Sequence, residues 1–289
     1  VFCEKPVAVD GPGVRSMPAS AAAAARRARA PVAGFCWRYS DAERATYARI
    51  PEGASGAVRA AYTTYNAGGF PGAHPREPAW SDVEFQLRSW HYFTHLSGDH
   101  IVEQAVHAID KIAWAMKDVP PLRCTAVGGR QARPNTPETG NIYDHFGVTY
   151  EYADGARGFN MCRHFPNASF DNSDYILGTE GTCVVDGWKP THRIEGGNAW
   201  SYEGPRRNMY QNEHDALFAA IRAGEPINNG VRQAHSTLMA IMGRMAAYTG
   251  QTVTWEQTLN SQESLTPAKW DWTDFPVPPV AVPGVTKLR

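Results

Sequence analysis

A carboxylate and an imidazole stand four residues apart in the segment from Ser97 to Met116, at Glu103 and His107. Residues with this spacing share one face of an α-helix, so the two side chains would lie next to each other. Such a pair can take up and release a proton. An isolated pair of this kind is more often a half-buried histidine bonded to a glutamate, so further groups are needed to decide between the two interpretations.

A lysine occupies the loop that follows the first apolar segment of the chain. Val1 to Cys3 have the composition of the end of a buried strand, and Glu4-Lys5-Pro6 would then lie at its carboxyl end. Parallel α/β sheets bind their ligands at that edge. A single lysine at this position is a weak indication of function.

The segment that carries Glu103 and His107 is predicted to be one helix from Ser97 to about Met116. Its apolar residues recur every three or four positions, which is the pattern of a helix with one buried stripe. They are Val102, Ala105, Val106, Ile109, Ile112, Ala113 and Met116. Ser97 and Asp99 are suitable residues to cap the start of this helix.

The first 50 residues alternate strand, helix, strand and helix. Val32 to Cys36 is predicted to be a second buried strand, between an Ala-rich helix and a helix from Ser40 to about Ile50. We expect both strands to belong to one parallel sheet. The composition changes at residues 51–56, after which segments with strand composition begin. The sequence therefore predicts two domains, residues 1–53 and residues 54–289.

The clearest sheet signal is a hairpin formed by Ile142 to Tyr152 and Ala156 to His164, joined by Asp154-Gly155. This dipeptide favours a two-residue turn, and in that register Thr149 would face Asn160 and His145 would face His164. One face of the hairpin would then be polar. The other face would carry Phe146, Val148, Tyr150, Phe159 and Met161. Unless helices cover this apolar face, we expect it to mediate self-association.

Composition excludes several classes of partner. The formal net charge is -1, and basic residues cluster only briefly, so we expect no nucleic-acid partner. No apolar run reaches the ~18 residues of a membrane span, and we expect no membrane association. The five cysteines include no Cys-x-x-Cys pair. They indicate reduced thiols, hence a cytoplasmic protein, and no metal site.

Several motifs together resemble the Gfo/Idh/MocA family, which includes glucose-fructose oxidoreductase and inositol dehydrogenase. They are Glu4-Lys5-Pro6, then Gly98, Glu103, His107 and Asp110 at the family's spacing, and the ending from Ala240 to Gly250 with Val253-Thr254-Trp255. The resemblance implies an α/β plus α+β architecture: the C-terminal remnant of a Rossmann parallel sheet, then an α+β domain with an open, mostly antiparallel sheet. It also implies NAD or NADP as cofactor, a sugar, sugar acid or cyclitol as substrate, and a homo-oligomer formed through the open sheet.

The same resemblance implies roles for individual residues. Lys5 would polarise the substrate oxygen, His107 would move the proton, and Glu103 would orient it. Contact with the nicotinamide half of the cofactor is implied for Glu4, Pro6, Trp37 and Arg38. Substrate contact is expected for His100, Gln104, His145, Asn160 and His164. For His145, Asn160 and His164 a solvated surface position is an equally good interpretation of the sequence.

Two features depart from the family pattern. The Gly-x-Gly-x-x-Gly fingerprint is absent from the sequence, and because the chain opens in the middle of a strand, we expect upstream residues to supply it. Glu103 also stands where many family members have aspartate, which moves the carboxylate by about one C–C bond.

Three other functions fit parts of the pattern. Glycoside cleavage through transient oxidation by tightly held NAD would use the same residues. A metallohydrolase could use His95, His100, Glu103 and His107 as ligands, although it would leave the Glu-Lys-Pro loop unexplained. The third is a non-catalytic module that assembles through its sheet, which would need neither a catalytic site nor a metal site.

Overall fold

The computed structural model describes residues 1–70, 74–267, 269, 271–272 and 274–288. The helices are α1 Gly11–Arg26, α2 Asp41–Arg49, α3 Asp82–Arg88, α4 Thr94–Ser97, α5 His100–Glu103, α6 Val106–Ala115, α7 Met209–Ala223, α8 Gly230–Thr249 and α9 Trp255–Leu259. The strands are β1 Phe2–Cys3, β2 Val32–Ala33, β3 Val58–Ala67, β4 Arg123–Gly129, β5 His145–Glu151, β6 Arg157–His164, β7 Ser173–Gly178, β8 Gly181–Asp186, β9 Thr191–Gly196, β10 Trp200–Ser201 and β11 Val253–Thr254.

The first sheet is small and parallel. β1 pairs with β2, with Phe2 opposite Val32, which confirms that the two apolar segments belong to one parallel sheet. The connecting helix α1 begins where Asp10 caps it by accepting a hydrogen bond from the Gly13 amide at 2.9 Å. β2 is shorter than predicted because residues 36–39 form a 3₁₀ turn.

Nine strands form the second sheet, in the order β10-β9-β8-β7-β3-β6-β5-β4-β11. β3 and β6 run parallel, and the other strand pairs in the described part of this sheet are antiparallel. α6 and α8 pack on one face of the sheet, where their apolar stripes enclose the main core. The open, mostly antiparallel sheet that was expected for the second part of the chain is confirmed.

The two sheets are joined by α8. This helix packs against α1 and β2 on one side and against β4 and β5 on the other. The predicted domain boundary lies in the connection between α2 and β3, and the division at residue 53 stays a prediction. Within the described residues, no helix combines the length and apolarity needed to cross a membrane.

The hairpin of β5 and β6 is present, but its predicted register is wrong by one residue. Thr149 lies opposite Phe159, and His145 lies opposite Arg163. The loop is one residue longer than predicted, because Tyr152 donates its amide to the Ala156 carbonyl at 3.1 Å and Gly155 takes a left-handed conformation with φ of 85°. A left-handed glycine after a tight turn is the usual way to close a three-residue hairpin loop.

The shift exchanges the two faces of β6 relative to β5. Phe159 and Met161 lie on the open face together with His145 and are 37% and 41% exposed. The face that the helices cover carries the buried residues Phe146, Val148, Tyr150, Asn160 and His164. The predicted grouping of His145, Asn160 and His164 on one polar face is therefore wrong.

The helix predicted from Ser97 to Met116 is divided into α4, α5 and α6. Gly98 and Asp99 both have positive φ, 74° and 76°, and separate α4 from α5. Between α5 and α6 the Ala105 amide bonds to the carbonyl of His100 at 2.9 Å, five residues back. Glu103 and His107 thus lie on either side of a widened turn and do not share a regular helix flank. Widened turns of this kind are frequent at functional sites.

Candidate functional site

Lys5 reaches from the end of β1 to the end of α5. Its ammonium donates a hydrogen bond to the main-chain carbonyl of Glu103 and lies 3.4 Å from Oε1 of the same residue. The side chains of Lys5 and Glu103 are 14% and 12% exposed, so the ion pair is largely shielded from solvent. Oε2 of Glu103 is buried and has no hydrogen-bond partner among the described residues.

His107 follows the widened turn and lies in the electrostatic field of Lys5. Its Nδ1 is buried and meets no hydrogen-bond partner in the described part of the chain, and its ring packs edge-on against Phe35 with 5.9 Å between centroids. Burial lowers the pKa of His107 to about 3, and the Lys5 cation adds to this shift. The imidazole is therefore neutral near pH 7, and a neutral imidazole can accept a proton.

A second group of polar side chains follows directly after Glu103. Nε2 of His164 and the side-chain oxygen of Gln104 are hydrogen-bonded at 2.6 Å. The His164 ring lies 4.4 Å from the ring of His100, whose Nδ1 is bonded to Oδ1 of Asp99 at 2.9 Å. Burial lowers the pKa of His164, and His100 adds to the effect. The structure thus brings together His100, Gln104 and His164, three of the five predicted substrate residues.

The other two predicted substrate residues lie apart from this group. Asn160 is buried beneath the helices and donates from Nδ2 to Oγ1 of Thr63 at 3.1 Å. His145 lies on the open face of the sheet, with its Nδ1 bonded to Oδ1 of Asp144 at 2.8 Å. The one-residue register shift explains the separation of His145 from His164, because it turns their side chains to opposite faces.

Arg38 is held in a buried ion-pair network. Its guanidinium donates to Asp110 at 2.7 and 2.9 Å and to Asp118 at 2.7 Å. Burial alone would lower the pKa of Arg38, but the two carboxylates raise it above the usual range. Arg38 therefore has a structural role in this arrangement, and its contact with a cofactor stays a prediction.

The remaining residues predicted to contact the cofactor lie in the Lys5 loop and in the 3₁₀ turn after β2. Glu4 and Pro6 flank Lys5, and the Lys5-Pro6 peptide bond is cis. Trp37 is buried, and the ammonium of Lys111 lies 4.6 Å from the centroid of its ring. Cofactor contact by these three residues stays a prediction.

His91 and Phe70 lie at this site, although the sequence did not indicate them. Burial lowers the pKa of His91, Glu103 opposes this shift, and Lys5 adds to it, so His91 lies near both. The ring of Phe70 lies 4.4 Å from that of His91 and 4.2 Å from that of His164. Phe70 thus links the two polar groups. Neither residue belongs to a periodic pattern in the sequence. The aromatic run of residues 90–92 could have drawn attention to His91.

His, Cys, Asp and Glu side chains are the usual protein ligands of metal ions. Among the described residues, no three His, Cys, Asp or Glu side chains are grouped so that they could hold a metal ion. His95, one of the ligands considered for a metallohydrolase, packs against Phe93 and Phe275.

Comparison with known proteins finds one family and several related folds. The family model described as the GFO/IDH/MocA C-terminal domain matches residues 44–184. No curated protein matches the chain. The crystal structure of an aldose-aldose oxidoreductase from Caulobacter crescentus, complexed with glycerol, is similar with a TM-score of 0.69 and 18% identity, over 88% of this chain and 71% of that one.

Two further solved structures show the same fold. A levoglucosan dehydrogenase, in complex with NADH and levoglucosan, has a TM-score of 0.67 and 18% identity, over 88% of this chain and 72% of its own. A myo-inositol dehydrogenase from Corynebacterium glutamicum has a TM-score of 0.62 and 20% identity, over 88% and 72% of the two chains. The family match confirms the resemblance seen in the sequence, and the shared fold agrees with it: residues 44–184 of this chain match the GFO/IDH/MocA C-terminal domain.

Proposed function

We propose that the protein is an NAD(P)-dependent oxidoreductase that transfers hydride between the nicotinamide and a hydroxyl carbon of a sugar, sugar acid or cyclitol. The observation that carries this proposal is the meeting of the Lys5 ammonium with Glu103, next to the neutral imidazole of His107. Oxidation of an alcohol carbon requires a proton acceptor for the hydroxyl and a positive group beside the developing alkoxide. His107 and Lys5 would supply these two groups.

The structural relatives support the substrate class. One is a levoglucosan dehydrogenase complexed with NADH and levoglucosan, and another is a myo-inositol dehydrogenase. Both act on polyhydroxylated rings. Gln104, His164 and His91 would offer hydrogen bonds to such a ring, and Phe70 would offer an apolar surface to its C–H face.

The residues of this chain fit the reacting end of a nicotinamide dinucleotide. Nδ1 of His107 and Oε2 of Glu103 are buried polar atoms without partners among the described residues, and a reacting hydroxyl that donates its proton to Nδ1 would satisfy the imidazole. The cofactor, when bound, accepts or returns the hydride. Glu4, Pro6 and Trp37 would contact its nicotinamide half. The sequence contains no Gly-x-Gly-x-x-Gly fingerprint, so the phosphates of the cofactor are not assigned to residues of this chain.

Lys5, Glu103 and His107 would have distinct tasks. His107 takes the hydroxyl proton, because its imidazole is neutral. Lys5 stabilises the negative charge that develops on the oxygen. Glu103 positions Lys5, since both its main-chain carbonyl and its carboxylate lie against the ammonium.

An assay of cofactor reduction tests the proposed function. The protein is incubated with NAD⁺ or NADP⁺ and a panel of sugars, sugar acids and cyclitols. We expect at least one of them to give reduced cofactor and a carbonyl product in equal amounts. Release of the aglycone from an aryl glycoside without net cofactor reduction would instead identify the redox glycosidase. Absence of both reactions across the panel would contradict the proposal.

The open face of the large sheet is proposed to form the contact between copies of the protein. Phe159, Tyr62 and Tyr175 lie in one row across β6, β3 and β7. Other exposed apolar residues on this face are Val127, Met161 and Leu177. A continuous exposed apolar patch is typical of an association surface. This surface replaces the one predicted from the sequence, since Phe146, Val148 and Tyr150 are covered by helices.

Replacing Phe159 and Met161 together by lysine should convert an oligomer into monomers, because the two charges would have to be buried in the contact. Light scattering at high micromolar concentration measures the mass. Phe218→Lys is the matched control, because Phe218 is an exposed aromatic residue on α7. An unchanged mass for the double variant, or a monomeric unmodified protein, would show that this face is not an interface.

A further inference from the structure

A groove of about 570 Å³ lies between α1, α8 and α9. Its walls are mainly apolar, and its volume is in the range of small-molecule sites. The apolar lining includes Val14, Pro18, Leu238, Trp255 and Leu259. Lys5, Glu103 and His107 do not line it, so it is separate from the proposed active site.

Arg232 lines the groove and is partly buried. Its Nε is buried and has no hydrogen-bond partner in the described part of the chain. Asp110 and Asp118, the nearest carboxylates, are both bonded to Arg38. Burial lowers the pKa of Arg232, and Arg38 adds to this effect, while the Asp110 carboxylate opposes it without bonding to Arg232. A partly buried cation without a bonded counter-ion is costly, so its presence beside a cavity suggests a ligand.

His235 lies one turn further along α8, on the same face as Arg232. It is 9% exposed, and neither of its ring nitrogens has a hydrogen-bond partner among the described residues. Its ring lies against Trp255 with 5.0 Å between centroids. Burial lowers the pKa of His235, so the neutral ring offers one donor and one acceptor. Two unsatisfied polar side chains therefore lie on one wall of an apolar groove.

The charges around the groove leave an excess of one positive charge. Arg15 is a second cation in the lining, and its Nη1 donates to the main-chain carbonyls of Leu259 and Ser261 at 2.6 and 2.8 Å. Arg15, Arg38 and Arg232 thus stand against the two carboxylates of Asp110 and Asp118. The groove also adjoins the start of α8, where the helix dipole is positive, and the Asn229 side chain makes no capping hydrogen bond there.

We propose that this groove binds a small amphipathic carboxylate. The apolar body of the ligand lies against Trp255 and Leu238, and its carboxylate accepts hydrogen bonds from Arg232 and His235. The planar fork of an arginine matches the two oxygens of a carboxylate. A neutral ligand of the same shape would fill the groove but would leave Arg232 unpaired.

Titration calorimetry with decanoate and with decanol tests this assignment. We expect decanoate to bind about tenfold more tightly than decanol, because only decanoate forms the charge-assisted hydrogen bonds. In Arg232→Gln the affinity for decanoate should fall to that for decanol. Arg222→Gln, which removes an exposed arginine of α7, should leave both affinities unchanged. Trp255→Ala should weaken both ligands, because it removes the apolar wall.

The folding of Arg232→Gln provides a second readout. Because Arg232 has no hydrogen-bonded partner among the described residues, its replacement should leave the Tm unchanged or raise it. The proposal is overturned if neither probe binds at about 1 mM, if decanoate and decanol bind equally, or if Arg232→Gln leaves decanoate binding intact. A lower Tm for Arg232→Gln would also overturn it, because that result would show a structural role for the guanidinium.

Discussion

His107→Ala in the cofactor-loaded protein should lower kcat by about 10²-fold or more, because it removes the proton acceptor from the reacting hydroxyl. Burial and the Lys5 cation keep the imidazole neutral near pH 7, so that a ring nitrogen is free to accept the proton. The affinity for NAD(P) should remain nearly unchanged, because His107 is expected to touch only the substrate. Steady-state kinetics on the best substrate of the panel, with a separate cofactor titration, measure both quantities.

Two variants sharpen this prediction. Glu103→Gln should cost less than His107→Ala, because the amide keeps the shape of the carboxylate and the main-chain carbonyl still holds Lys5. His95→Ala is the matched control. Burial lowers the pKa of His95 as well, to about 4, but its ring packs against Phe93 and Phe275. Full activity of His107→Ala, or an equal loss in His95→Ala, would contradict the assigned role.

Arg38→Ala should lower the free energy of unfolding by about 3–5 kcal/mol, which is the usual cost of leaving one member of a buried ion pair alone. The Asp110 side chain is 1% exposed, and without Arg38 its carboxylate would keep the hydrogen bond from Oγ of Ser236 at 2.6 Å but no bonded cation. Urea denaturation, with the slope checked for two-state behaviour, measures the loss.

An exposed ion pair supplies the control for this effect. Arg207 and Asp41 are 2.7 Å apart, and the Arg207 side chain is 69% exposed, so Arg207→Ala should cost less than about 1 kcal/mol. The double variant Arg38→Met with Asp110→Leu should recover much of the lost stability, because neither member of this buried ion pair is left without the other. Similar losses in Arg38→Ala and Arg207→Ala would show that the network around Arg38 is not structural.

The sequence was sufficient to predict the two sheets but not their detailed register. Composition and turn residues located the parallel pair and the hairpin of β5 and β6. The register depended on whether Asp154-Gly155 formed the whole turn, and the left-handed Gly155 added one residue to the loop. Because side chains alternate along a strand, this single residue moved His145 away from His164 and placed Phe159 on the open face.

The candidate site was predictable where its residues lie in recognisable motifs. Lys5, Glu103 and His107 were predicted in this way, whereas the prediction for His164 rested on the wrong hairpin register. The widened turn after Glu103 was not predictable from the sequence, since the regular spacing of apolar residues continues across it. Other features depend on contacts between distant segments: Phe70 meets His91 and His164 only in the fold. The missing partner of Arg232 is likewise visible only when its neighbours are known.

A double-mutant cycle of Lys5→Ala and His107→Ala, measured as kcat/KM on one substrate, tests most directly whether the two residues serve the same reacting oxygen. If they do, the two losses should not multiply, and the double variant should be little worse than the poorer single variant, because the charge on the oxygen and its proton belong to one transition state. A double variant whose loss equals the product of the two single losses would place Lys5 and His107 at independent sites and would contradict the proposed mechanism.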